Sequence, residues 1–294
     1  MSTPDFSVII CIHNALEDVR NCLDSVLRTD FSGQIEIILI DDGSNAPTRD
    51  YVHEMMSAHD QVMAVRREKA GGYTVAANTG LRLAKGEIIA LLNSDTIVPR
   101  GWAQKITAAF AQNPDIGLFG PLSNAASWQS VPHRSDPRGG WAVNALPRGV
   151  DVDAMDVLVE AASPDDLPLI RVPLVNGFCY CIRKSVIQKV GYLDEASFPR
   201  GFGEEDDYCF RIAEAGFGIA ILPTLYVFHA KSKSYGVEGR KAIVKKSAIA
   251  LKEKHSEARL QRSVGDMKAN PYIDTMRQRI LDALEERGLE AELS

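Results

Sequence analysis

Three clusters of polar side chains each close an apolar run. His13-Asn14 follows residues 7–12 (SVIICI), Asp41-Asp42-Gly43-Ser44 follows residues 35–40 (IEIILI), and Asn93-Ser94-Asp95 follows residues 88–92 (IIALL). Taken singly, each suits a turn or a helix cap, which Asn, Asp and Ser favour. Together, at successive strand ends and all carrying acids or amides, they point to a site, because open α/β sheets bind ligands beyond the carboxyl ends of their strands. No Gly-x-x-x-x-Gly-Lys-Ser/Thr loop is present, and the first strand leads into His13-Asn14-Ala15 rather than Gly-x-Gly-x-x-Gly. Phosphates are therefore not held on a glycine-rich helix start. Oxygen and nitrogen ligands around Mg2+ or Mn2+ remain the natural way to neutralise a diphosphate.

The second half adds an acid run and a histidine. In "GFGEEDDYCFR", Glu204, Glu205, Asp206 and Asp207 open an apolar-patterned helix. Acids in a first turn suit the helix dipole. Four in a row exceed what a dipole requires, and their repulsion costs stability unless something offsets it. His229 ends the strand-like "GIAILPTLYVFH" beside the basic segment containing Lys231, Lys233 and Tyr235. A strand-end histidine in such company is a candidate ligand. The basic segment itself reads equally as a solvated loop or as a cover over a bound diphosphate. Trp128 and Trp141, in or beside an irregular stretch, offer faces for a sugar, although packing is the commoner fate of a tryptophan.

The elements that must position these residues alternate. Apolar runs at residues 7–12, 35–40, 62–65 and 88–92 are separated by helical patterns, including 15–27 with Asn14 as its cap and 48–58. That order predicts βαβ units and a doubly wound, mostly parallel sheet. Trp102–Gln112 continues the helical pattern. Residues 121–168 are rich in Pro, Gly, Asp and Ser, with one helical stretch at Val152–Ala162, as befits a functional loop region. From about residue 240 the tail is helical and highly charged, with a break at Asn270-Pro271.

Composition narrows the class. The 294 residues suffice for one large α/β core, and 45% hydrophobic with 24% charged residues is ordinary for a globular protein. A net charge of −6 gives no support for a nucleic-acid surface. Five cysteines without a framework spacing suit a reducing, cytoplasmic compartment. No signal peptide or membrane span is expected from the hydropathy pattern. Lys241, Lys245, Lys246, Lys252 and Lys254 leave contact with the inner face of a cell membrane open, while the interleaved acids favour a solvated face.

Six segments resemble the GT-A inverting, nucleotide-sugar-dependent glycosyltransferases of the family 2 type that builds bacterial polysaccharides. They are "SVIICIHN", "IEIILIDDGS", "ANTGLRLAKGEIIALLNSD", "VNGFCYCIRKSVIQKVGYLDE", "GFGEEDDYCFR" and "LYVFHAKS", in the family's order over about residues 6–236. The resemblance implies a GT-A fold with a nucleotide-sugar half at about 6–120, an acceptor-side half at about 121–236, and a helical appendage at 237–294. It implies that Ile12, His13 and Asn14 wrap the base, and that Asp41 or Asp42 accepts from base or ribose. Asn78, Asn93, Ser94, Gly177 and Lys231 would contact donor or acceptor, and Asp207 would orient the helix or bind the acceptor. Asp95 and His229 would hold a divalent metal, Mn2+ or Mg2+, on the diphosphate. Glu205 would be the catalytic base, with Asp206 as the fallback. Two positions depart from the family's pattern: Asn93 stands where it has an acid, and Glu205 where it often has Asp. The implied activity is transfer from a nucleoside-diphosphate sugar to a glycan or glycolipid hydroxyl. An inactive nucleotide-sugar-binding module is the alternative. A nucleotidyltransferase ranks lower, because "CIHNALEDVRN" lacks the glycine-rich basic turn.

Overall fold

The computed structural model describes residues 4–164, 166–231 and 237–293. The first half runs β1 (Phe6–Ile12), α1 (Leu16–Leu27), β2 (Ile35–Asp42), α2 (Ala46–Ala58), β3 (Val62–Arg67), α3 (Tyr73–Leu83), β4 (Ile88–Asn93), β5 (Thr96–Ile97), α4 (Trp102–Gln112) and β6 (Ile116–Leu122). The second half adds α5 (Val152–Ala162), β7 (Ile170–Arg171), β8 (Cys179–Arg183), α6 (Lys184–Val190), α7 (Glu204–Glu214), β9 (Gly218–Tyr226) and β10 (Phe228–His229). Helices α8 (Val237–His255), α9 (Glu257–Ala269) and α10 (Pro271–Glu286) follow, and Pro271 opens the last where a helix interior would exclude it.

The main sheet has the order β3-β2-β1-β4-β8-β6-β9-β7. Strands β1 to β4 are mutually parallel. Strand β8 runs against both β4 and β6, β6 and β9 are parallel, and β7 is an antiparallel edge. The chain winds outward through β2 and β3, then crosses back to place β4 on the other side of β1. That reversal of strand order opens a crevice at the carboxyl ends of β1 and β4. Alternation along each strand feeds two cores. Ile9, Ile38, Ile40, Ile89 and Leu91 face one, and Val8, Ile10, Ile37, Leu39, Ala90 and Leu92 face the other. Burial on both faces explains the unbroken apolar runs.

The C-terminal helices share this core. Ile273, Met276, Ile280 and Leu284 of α10 belong to the same buried cluster as Met155, Leu158 and Val159 of α5. Helix α8 lies on α7, with Ser247 Oγ donating to the Gly201 carbonyl at 3.4 Å. Lys254, read from sequence as a surface charge, turns inward to Asp194 and Asp207, each at 2.6 Å. Lys233, Tyr235 and the side chain of Lys241 lie outside the described residues. Among the described residues, no helix is long and apolar enough to cross a membrane.

Two expectations need correction. Asn14 does not cap α1. It adopts a left-handed conformation, as does Ala15 at the helix start, and no side chain caps the helix. Its Oδ1 accepts from the Asn45 amide at 2.8 Å and its own N–H donates to Ser44 Oγ at 2.9 Å, so Asn14 ties the β1 loop to the β2 loop. The side chain of Ile12 is buried in the core, leaving only its backbone to meet a ligand.

Candidate active site

Parallel pairing brings the three polar strand ends to one edge. Ile12 lies opposite Asp41, and Cys11 opposite Asn93. His13 Nδ1 bonds the Asp42 carbonyl at 2.8 Å. Asp41 and Asp42 are buried and engaged by the chain itself. Asp41 accepts from the Ser44 amide at 2.8 Å and pairs with Arg66. Asp42 accepts from Gly71 (2.9 and 3.0 Å) and Gly72 (2.8 Å) and pairs with Arg67 at 3.0 Å. Two backbone N–H groups thus bind the Asp42 carboxylate, with the Arg67 guanidinium beside it. Its carboxylate anchors the loop into α3, where Gly72 has φ +99° and an added Cβ would collide with the Pro199 carbonyl. Asn78 is committed as well: its amide donates to the Leu193 carbonyl at 2.9 Å and accepts from the Leu193 N–H at 3.0 Å. It fastens α3 to the segment before the acidic helix.

Asp95 and His229 meet through a two-stranded ribbon. Strand β10 pairs antiparallel with β5, His229 opposite Thr96, and the Ala230 N–H donates to the Asp95 carbonyl at 2.8 Å. This sets His229 Nε2 3.4 Å from Asp95 Oδ1. His229 Nδ1 lies 3.0 Å from the Ala125 carbonyl. A carbonyl only accepts, so Nδ1 carries a proton and the remaining nitrogen faces the carboxylate. Asn124 grips the histidine backbone from both sides, at 2.7 and 3.1 Å, and Phe178 stacks on its ring at 5.2 Å. Sequence reasoning missed Asn124 and Phe178. Asn124 follows the apolar run of β6, as Asn93 follows residues 88–92, and that was the signal available.

An oxygen and an imidazole nitrogen in contact, the imidazole held by a backbone carbonyl, make a donor pair that fits Mn2+ better than Mg2+. Among the described residues, no group of three His, Cys, Asp or Glu side chains has metal-holding geometry. A metal here would complete its shell with phosphate oxygens and water. Asn93 and Ser94 lead directly into Asp95, and the Asn93 backbone is bound by the Phe178 carbonyl and the Thr96 hydroxyl. Lys231 follows the ribbon in a left-handed conformation.

The acidic helix start comes to the same edge. Residues 201–203 all have positive φ, a turn that two glycines make accessible and that delivers Glu204 to the head of α7. Glu205 accepts from the Gly203 N–H at 2.8 Å, and a Cβ added to Gly177 would touch the Glu205 side chain at 3.4 Å. Gly177 thus keeps the space in front of Glu205 open. The four acids divide by environment. Burial, then the charge of Glu205, pushes the Asp206 carboxyl up to about 8. Glu204 is raised well above the usual range for the same reasons. Burial also opposes ionisation of Asp207, but Lys254, His255 and Arg211 outweigh it and hold that carboxyl below its usual value. The contacts on Asp207 are 2.6, 2.7 and 2.8 Å. Asp207 therefore anchors α7 to α8, which fits the helix-orienting one of its two expected roles.

With this geometry in hand, similarity to known proteins is informative. The sequence model of glycosyl transferase family 2 matches residues 7–146. Just under half of the chain is thus similar to this family. It is 27% identical over 254 residues to the pre-mycofactocin glycosyltransferase of Mycobacterium tuberculosis, covering 86% of this chain and 48% of that one. The chain thus spans about half the length of this curated relative. Among solved structures, the mannosyltransferase PcManGT of Pyrobaculum calidifontis, in complex with GDP-Man and Mn2+, superposes with a TM-score of 0.61 at 17% identity. The match covers 97% of this chain and 76% of that one. GalNAc-T7 with UDP, GalNAc and Mn2+ gives a TM-score of 0.60 at 18% identity, covering 98% and 56%. The chain therefore has the GT-A fold.

Proposed function

We propose that this chain is a metal-dependent inverting glycosyltransferase, moving a sugar from a nucleoside-diphosphate sugar to a hydroxyl of a glycan or glycolipid. The observation that carries this reading is the 3.4 Å apposition of Asp95 and His229, at the sheet edge that also receives the Glu204–Asp207 helix start. The GDP-Man, UDP and Mn2+ in the related structures support it. Residues of about 6–120 bind the nucleotide, 121–236 face the acceptor, and 237–294 brace α7 and α5. His13, Asn14 and the Ile12 backbone border the base. Asp41 and Asp42 shape that pocket through Arg66 and Arg67. Five free cysteines suit a cytoplasmic setting.

Asp95 and His229 would hold the metal, which when bound would stabilise charge on the leaving diphosphate. The chain's own part in the chemistry is positional and proton-handling. Gly177 admits the acceptor beside Glu205. The acceptor hydroxyl attacks the anomeric carbon from the face opposite the diphosphate, and its proton passes to Glu205, with Asp206 as the alternative base. The developing oxocarbenium character is the one familiar from glycoside hydrolysis. Asn93 in place of an acid favours the second reading, a module that binds donor without turning it over.

One experiment separates the two. Donor hydrolysis or transfer with Mn2+ is measured for wild type and Glu205→Gln, alongside donor affinity. Loss of turnover by about 10²-fold or more with donor affinity unchanged is expected for the base. Equal binding with no turnover in either protein would leave the binding module.

A further inference from the structure

The loop after β6 builds a second recognition surface that the proposed chemistry does not use. Trp128 and Trp141 meet edge to face, centroids 4.9 Å apart at 75°. They line a cleft of about 220 Å3 together with Arg134, Gly139, Gly140 and Lys268. The cleft is smaller than the ~300–1,000 Å3 of pockets for drug-sized ligands, so it suits a single ring. Trp141 keeps 44% of its surface exposed, unusual for so large an apolar side chain. Arg134 lies over the Trp128 ring at 5.7 Å. Among the described residues, neither Arg134 nor Lys268 has a carboxylate partner in an ion pair. Asp136, in the same loop, accepts with one oxygen from the N–H groups of Arg138 (2.9 Å) and Gly140 (2.7 Å), and its other oxygen lies against Gly140.

The walls are built rather than draped. Arg277 of α10 donates to the Ser130 carbonyl at 3.0 Å and to the Trp128 carbonyl. Asn144 donates to the carbonyls of Asn124 and His133, each at 2.9 Å. Lys268 comes from α9, so the cleft exists only because the C-terminal helices return to this loop. It also lies near the reaction. Ala125, whose carbonyl holds His229, is three residues before Trp128. Three residues of chain span at most about 11 Å. A glycan of two or three units would reach from the cleft to the Asp95–His229 pair.

We propose that this cleft is an acceptor subsite for an anionic sugar residue, one bearing a carboxylate or a phosphate. Tryptophan faces carry negative potential and attract the partly positive C–H face of a sugar ring. The guanidinium of Arg134 matches a carboxylate or phosphate in two-pronged fashion, and Lys268 adds a point charge. A neutral sugar would leave Arg134 and Lys268 without an ion-pair partner. The assignment of the site to an acceptor rests on the glycosyltransferase reading; the preference for an anionic ring rests on the cleft alone.

Tryptophan emission of the full chain provides the test, because Trp102 is buried in the core and only Trp128 and Trp141 line the cleft. Methyl glucuronide, glucose 6-phosphate, methyl glucoside and inorganic phosphate are titrated separately. One or both acidic sugars should change the emission saturably, with methyl glucoside weaker by about tenfold or more; the better of the two identifies carboxylate or phosphate. Lys268→Gln, at an exposed helical position, should weaken the acidic sugars several-fold, and Trp141→Ala should abolish the response. Nucleoside-diphosphate binding with Mn2+, followed by calorimetry, should be unchanged in both variants. Equal binding of neutral and acidic sugars, inorganic phosphate binding as well as either acidic sugar, or indifference to both substitutions would overturn the proposal. Loss of nucleotide binding in the wild type with the sugar response intact would instead count against the glycosyltransferase reading alone.

Discussion

Asp206 carries two penalties on one carboxyl, burial and the neighbouring charge of Glu205, which together push it up to about 8. An unfolded aspartate titrates near ~3.9. Between those values the folded protein holds a proton that the unfolded chain has released, so stability falls as pH rises from about 4 to 8. Asp206→Asn should flatten that fall. At pH 8 the variant should be more stable than wild type by about 1 kcal/mol or more, since each tenfold change in proton affinity is worth about 1.4 kcal/mol. Thermal melts at pH 5 and pH 8 check this, and parallel losses in both proteins would show that Asp206 is not the group responsible. Asp207 has the opposite sign. Its depressed carboxyl contributes stability that is present above the unfolded value and lost as pH falls through the folded one. The acid run in the sequence raised the question of what offsets four neighbouring charges. The structure answers it residue by residue: two carboxyls are driven toward neutrality, and one is clamped by Lys254, Arg211 and a hydrogen bond from His255.

At the scale of elements, the ribbon of β5 and β10 is the decisive piece. Each strand is only two residues long and has no periodicity to read. Its partners are separated by more than a hundred residues, yet it sets the Asp95–His229 distance. Asn124 holds the ribbon from the loop after β6, so Asn124→Ala should release the His229 backbone while the main sheet stays formed. Removing such a supporting residue should lower Mn2+-dependent nucleotide affinity by roughly 10- to 100-fold. Calorimetry with and without Mn2+ measures it, and an unchanged metal contribution would remove Asn124 from that role. The long elements, by contrast, were legible. Trp102–Gln112 and Val152–Ala162 lie where their periodicity puts them. The four parallel strands extend the expected runs by a residue or two, so that Asp41 and Asp42 are the last residues of β2 rather than the turn beyond it.

At the scale of the molecule, the C-terminal helices are part of the core. Ile280 of α10 is fully buried in the cluster that contains α5. Ile280→Ala should cost about 2–5 kcal/mol, the range for a large-to-small change in a packed interior. Urea denaturation would read this as a lower midpoint. A cost below about 0.5 kcal/mol, the level of a surface substitution, would mean that α10 docks loosely. The same packing supplies Arg277 and Lys268 to the tryptophan cleft, and Lys254 and His255 to Asp207.

Local patterning was enough to determine the alternating strands and helices, the polar ends of β1, β2 and β4, and the resemblance that proposed Asp95, His229 and Glu205. Those features depend on apolar spacing and on residue types within a few positions, both of which are written along the chain. Which polar groups remain available was decided only by the tertiary structure. Asp42, Asn78 and Asp207 have the right chemistry for ligands, but donors that are distant in sequence, or that arrive across a loop, occupy them first. Hydrogen-bond capacity is finite, and its assignment depends on neighbours that only the folded chain brings together.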